Sequence, residues 1–159
     1  MPTMTPTLWF DMNAEEAVTF LCSIIPDSRI DSVIPAPQDH PNMKAGEPLA
    51  VSFTLGGHPY AGINGGPQFP FNEQISFALA CEDQAEVDEI WARLTEGGTE
   101  SYCGWCKDRY GFSWQVVPKR LYELLQDPDP ARARAASQQM MTQVGKLDIA
   151  AIEAAADAA

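Results

Sequence analysis

Apolar residues alternate between two periods along the chain. Thr5–Phe10 is a short apolar run that reads as a strand, and Asp11-Met12-Asn13 after it offers turn and helix-capping chemistry. Ala17, Phe20, Leu21 and Ile24 then fall at i, i+3, i+4 and i+7, one face of a helix that Pro26 stops. Ser28–Ile34 reads as a strand, residues 35–48 as a proline-rich loop, and Leu49–Leu55 and Tyr60–Ile63 as strands of a hairpin turning at Gly56-Gly57. The order then repeats. Ile75–Cys81 reads as a strand, and Asp83 as the cap of a helix whose face is Val87, Ile90, Trp91 and Leu94. Gly97-Gly98 closes that helix, and Ser101–Cys106 and Phe112–Val117 read as the strands that follow.

The two helical faces coincide under a shift of 70 residues, and each helix follows one strand and precedes a hairpin. This predicts an internal duplication of a strand–helix–strands unit. The expected fold class is therefore α+β: two βαβββ modules, at about 4–64 and 74–118, forming a curled mixed sheet within a domain of residues 1–118. Residues 119–159 form a helical extension. There Asp129 and Pro130 start a helix that Gly145 ends, and the alanine-rich Asp148–Ala156 is a further helix.

Composition narrows the function. Ten Lys and Arg face 22 Asp and Glu, a net charge of −12, which excludes a phosphate-neutralising nucleic-acid binder and docking on an anionic membrane. Residues 82–100 carry seven carboxylates against one arginine, so the acidity sits mainly on a helical outer face. No apolar run reaches the roughly 20 residues of a membrane span, and Met1–Phe10 has no Lys or Arg and no signal-peptide core. The expectation is a cytoplasmic protein whose four cysteines, Cys22, Cys81, Cys103 and Cys106, are thiols.

Several blocks carry a family resemblance: Asn13-Ala14-Glu15-Glu16-Ala17, Pro26-Asp27-Ser28, Asn64-Gly65-Gly66-Pro67, Phe71-Asn72-Glu73, Cys103-Gly104-Trp105, and Asp108-Arg109-Tyr110-Gly111 followed by Ser113-Trp114-Gln115-Val116-Val117-Pro118. Over about residues 4–157 the chain resembles the PhnB-like branch of the vicinal oxygen chelate superfamily, which includes glyoxalase I, extradiol dioxygenases and bleomycin-resistance proteins. Members of this branch are often described as demethylubiquinone methyltransferases. No glycine-rich strand–loop–helix suited to S-adenosylmethionine appears in this sequence. The resemblance implies paired βαβββ modules, each curled around a cavity and joined within a chain or across a homodimer.

It also implies a place to look for a metal. Enzymes of the superfamily hold a divalent ion with His, Glu or Gln from the first and last strands of the modules, and a catalytic site needs about three side-chain ligands. The matching first-strand positions are Pro6 and Ser76, with Gln74 as a same-face alternative; the last-strand positions are Ala61 and Gln115, with Asn64 as the offset alternative. None is His or Glu, and His40 and His58 fall in a loop and a hairpin turn. The expectation is no metal ligand set and no cofactor, a divalent metal being the alternative.

The cavity candidates are Gln74, Ser76, Gln115, Asn64, Cys103 and Trp105. Period-two alternation turns Gln115 to one face and Trp114 to the other, toward the helices. Cys103 and Cys106 have C-x-x-C spacing, but within a strand they point to opposite faces, so paired redox chemistry is not expected. Cys81 ends the first strand of the second module and is a candidate neighbour of Cys103, which makes a cavity thiol there a reactive-site candidate. Asp108-Arg109 reads as a turn with a surface ion pair, with Glu73 and Asp108 at the cavity rim. Two functions remain open: a metal-free small-molecule-binding protein, and an enzyme of the same superfamily acting on a small oxygenated substrate. The partners expected are a small-molecule ligand and a second copy of the chain.

Overall fold

The structure, a computed structural model, describes residues 2–159. It is α+β, with two four-stranded mixed sheets and a helical C-terminal end. The chain divides into two compact units, Met1–Phe71 and Asn72–Ala159.

The first unit contains β1 (Thr7–Phe10), α1 (Ala14–Ile24), β2 (Arg29–Pro35), β3 (Pro48–Leu55) and β4 (His58–Asn64). Its strand order is β1-β4-β3-β2, with β1 parallel to β4 and the other pairs antiparallel. The β3–β4 turn uses Gly56 and Gly57 at φ 57° and 79°, the consecutive left-handed positions that match hairpin twist. α1 buries Ala14, Ala17, Val18, Leu21 and Ile24. Its N-terminus is closed from an unexpected side: the Asn13 side chain makes no cap bond, and Asn64 at the end of β4 instead accepts from the Ala14 N–H at 2.9 Å.

The second unit repeats the plan: β5 (Ser76–Cys81), α2 (Gln84–Thr95), β6 (Thr99–Glu100), β7 (Trp105–Lys107) and β8 (Ser113–Pro118), in the order β5-β8-β7-β6. Asp83 caps α2 by accepting from the Glu86 N–H at 2.9 Å. The 70-residue shift holds in burial as well as in pattern. Ala17 and Val87, Leu21 and Trp91, and Ile24 and Leu94 are buried pairs, while Phe20 and Ile90 are each half-buried.

The expected strand over 101–106 is corrected. Only Thr99–Glu100 and Trp105–Lys107 are strands, and between them Cys103 and Gly104 take φ 56° and 79°. The reason is where this backbone bonds. The N–H groups of Cys103 and Gly104 donate to the carbonyls of Gln143 and Gly145, and the Gly145 N–H donates to Ser101 O. The segment thus pairs with the C-terminal extension, and Cys103 and Cys106 do not share one strand.

That extension is three helices: α3 (Lys119–Leu125), α4 (Pro130–Thr142) and α5 (Ile149–Asp157). The α4 start is as expected, with Asp129 accepting from the Ala131 N–H. The α4 helix stops at Thr142, three residues before Gly145, and α3 is additional. Leu121, Leu124, Ala136, Leu147, Ile152 and Ala156 form a buried cluster with Val117 of β8. The extension therefore buries these residues within the second unit, while Tyr122, Leu125, Met141 and Val144 stay exposed.

Candidate functional site

Alternation along β8 gives its two faces different tasks. Trp114 and Val116, both fully buried, lie on the face beneath α2 with Cys106. Ser113, Gln115 and Val117 lie on the opposite face. Trp105 is the antiparallel partner of Gln115, and Lys107 of Ser113, so these side chains stand side by side on that face. On the other flank, β5 runs parallel to β8 and sets Ser76 beside Ser113. Gln115 Nε2 donates to Ser76 Oγ at 2.9 Å.

Two hollows open on this face, and Trp105 and Ser101 line both. One, of about 490 Å³, has Gln115, Cys103 and Trp105 on its sheet side and Leu121, Tyr122 and Met141 of α3 and α4 on the other. The second, of about 360 Å³, has Glu73, Glu100, Lys107 and Ser113 in its wall beside Trp105 and Cys106. Lys107 Nζ lies 2.6 Å from Glu73 Oε1, and the hydrogen bond from Lys107 holds the Glu73 carboxyl below its ordinary range. Glu100 accepts from Trp91 Nε1 at 3.0 Å. The Ser113 hydroxyl is buried and has no hydrogen-bond partner among the described residues.

Of the residues singled out from sequence, Gln115, Ser76, Cys103 and Trp105 are brought together here. Gln74 and Asn64 are not. Gln74 is exposed ahead of β5, its N–H donating to Asn72 Oδ1. Asn64 is buried in the first unit with both ends of its amide committed, to Ala14 N–H and to Pro48 O.

The Asp108 expectation is corrected. Asp108 is 3% exposed and is no rim residue. Its Oδ1 accepts from the N–H groups of Tyr110 and Phe112, and its Oδ2 accepts from Trp114 Nε1. Burial raises its pKa above the ordinary carboxylate value, against the lowering effect of those hydrogen bonds. Arg109 pairs with Glu96 instead, at 3.3 Å. All four cysteines are free thiols. Burial first, then nearby carboxylates, push Cys81 and Cys106 up to about 12. Cys103 alone of the four lines the larger hollow.

Sequence reasoning missed the apolar wall supplied by α3 and α4. Leu121, Leu124 and Leu125 signal a helix, but nothing in their spacing says which face of the sheet it covers.

Two βαβββ modules define a protein of the vicinal oxygen chelate class. Residues 2–117 match the model of the family described as 3-demethylubiquinone-9 3-methyltransferase, and the chain belongs to that family, in its PhnB-like branch. It is similar to a PhnB protein from Bacillus cereus, at 29% identity over 74% of this chain and 99% of that one, with a TM-score of 0.65. It is also similar in fold to a protein from Pseudomonas aeruginosa, at 19% identity over 75% and 98% of the two chains, with a TM-score of 0.60. No curated protein matches the chain. The family match stops at residue 117, so α3, α4 and α5 lie beyond it. No helix among the described residues is long and apolar enough to cross a membrane.

The superfamily's metal can be tested against the donors present. Ala61 N–H donates to Pro6 O at 3.0 Å, so these two positions are neighbours, and neither has a donor side chain. Ser76 and Gln115 are neighbours too and offer only neutral oxygens. Among the described residues no three His, Cys, Asp or Glu cluster closely enough to hold a metal. This donor set does not fit a tightly held divalent ion.

Proposed function

We propose that the chain is a small-molecule-binding protein that takes its ligand on the sheet face of the second unit, against the Gln115–Ser76 pair, without a tightly held metal. The observation that carries this is a half-buried carboxamide set in the wall of a hollow of about 490 Å³ that is otherwise mostly apolar. That is the usual make-up of a ligand pocket, an apolar enclosure with a few placed polar groups. Methyl transfer, named in the family's description, has less support in these residues. The strand-to-helix turns are Asp11-Met12-Asn13 and Glu82-Asp83, without the glycines that let a nucleotide approach the backbone. A cytoplasmic location and a homodimer remain part of the proposal on the strength of the family resemblance; light scattering at micromolar concentration tests the dimer, which a monomer overturns.

The test of the site is a thermal-shift screen of the full chain against small oxygenated compounds, repeated with Gln115→Leu. The reading expects at least one compound to raise the Tm of the parent and to shift the variant less. No stabilising compound in any chemical class, or equal shifts in both proteins, overturns it.

A further inference from the structure

We infer that the larger hollow selects a neutral, mainly aromatic ligand carrying one hydrogen-bonding group, and that the C-terminal extension sets this selectivity; the inference rests on the site proposed above. No Lys, Arg, Asp, Glu or His lines this hollow. A charged ligand buried there has no countercharge to replace its hydration, and an isolated buried charge is strongly disfavoured. The net charge of −12 adds a long-range penalty for anions.

The walls favour flat apolar bodies. Trp105 and Tyr122 contribute aromatic side chains to the lining, and Met140 and Met141 add flexible, polarisable thioethers that adapt to irregular outlines. The polar element is specific. Gln115 spends one end of its carboxamide on Ser76, and the other end has no partner among the described residues. Because a serine hydroxyl both donates and accepts, Gln115 can present either its carbonyl or its NH₂ to a ligand. One ligand hydroxyl, amine N–H or carbonyl is therefore satisfied, and a ligand with several polar groups leaves the rest unpaired.

Tyr122, Met140 and Met141 belong to α3 and α4, outside the stretch that matches the family. One side of the pocket wall thus comes from helices outside the matched stretch.

A matched pair of probes tests this. N-phenyl-1-naphthylamine is neutral with one N–H; 8-anilinonaphthalene-1-sulfonate has the same ring frame plus a sulfonate. Each is titrated by fluorescence into the full chain and into Met141→Lys, an exposed position whose change leaves the buried cluster untouched. The expected result is saturable binding of the neutral probe at one site, at least tenfold tighter than the sulfonate, and weakened at least fivefold by Met141→Lys with the Tm retained. Equal affinity for the two probes, or no effect of Met141→Lys, overturns the inference. If the neutral probe does not bind but the thermal-shift screen yields a Gln115-dependent compound, the ligand class falls and the site stands. If neither probe nor any compound binds, both fall.

Discussion

Trp114 Nε1 donates to Asp108 Oδ2 at 2.9 Å, and both residues are buried. The bond ties the β7–β8 turn to the largest fully buried side chain of the second unit. The other carboxylate oxygen takes the N–H groups of Tyr110 and Phe112, so one side chain satisfies three donors. Removing it with Asp108→Ala leaves buried donors unpaired and is expected to cost about 2–3 kcal/mol. The pH dependence has a definite sign. Burial raises the folded-state pKa, so the native state favours the protonated acid. The contribution of this group is then fully present below the ordinary carboxylate pKa and declines as pH rises through the raised one. Urea unfolding at several pH values should show the gap between parent and Asp108→Ala narrowing from about pH 4 upward; a gap that widens with pH refutes the assignment.

Gly104 sits where the second unit joins its extension. At φ 79° its backbone is left-handed, and a Cβ there would lie 2.7 Å from Val116 O and 3.0 Å from the Leu147 side chain. Gly104→Ala should therefore destabilise by about 2–3 kcal/mol, through left-handed strain and the displaced carbonyl together. Because Gly104 N–H bonds to Gly145 O, hydrogen exchange should rise across residues 143–147 before it rises in α2. Unchanged stability in a denaturant titration would sink this account.

The same residue shows where sequence legibility ends. The modules were legible because their signals are local: helix faces recur every 3.6 residues, and glycine pairs mark turns. The burial pairs Leu21–Trp91 and Ile24–Leu94 follow from that periodicity alone. Gln115 and Ser76 were located through the repeat and the family resemblance, and their hydrogen bond follows from parallel pairing of β5 and β8. What was not legible depends on partners far along the chain. The segment 101–104 has strand-like residues, but the N–H groups of Cys103 and Gly104 bond to Gln143 and Gly145, far downstream. Asp108 looks like a surface turn residue until Trp114 is seen above it. Asn64 looks available until Ala14 N–H claims it.

For the site itself, Gln115→Leu exchanges a half-buried amide for an apolar side chain one heavy atom shorter. It loses the bond to Ser76, a neutral hydrogen bond worth about 1 kcal/mol. Stability should shift by no more than about that amount, while affinity for a ligand engaging the carboxamide should fall roughly tenfold. Metal analysis of the purified chain, after incubation with zinc, nickel or manganese and desalting, should find well below one ion per chain. Near-stoichiometric retention of any of them would overturn the metal-free part of the proposal.

The cysteines give the last test. Cys81 and Cys106 are buried, with pKa values pushed up to about 12, so at pH 8 only about one thiol in 10⁴ is the reactive thiolate. Burial first, and then Asp31, raise Cys22 as well. Cys103 is the half-buried thiol in the wall of the larger hollow, within reach of anything that enters it. Native titration with an aromatic disulfide reagent should therefore label Cys103 ahead of Cys81 and Cys106, which should react only on unfolding. Cys103→Ser should remove one fast equivalent. A compound bound in the hollow should slow labelling of the parent, giving a readout of occupancy independent of the thermal shift. Fast native labelling of Cys106, or a Cys103–Cys106 disulfide formed without unfolding, would contradict the burial that separates these two thiols.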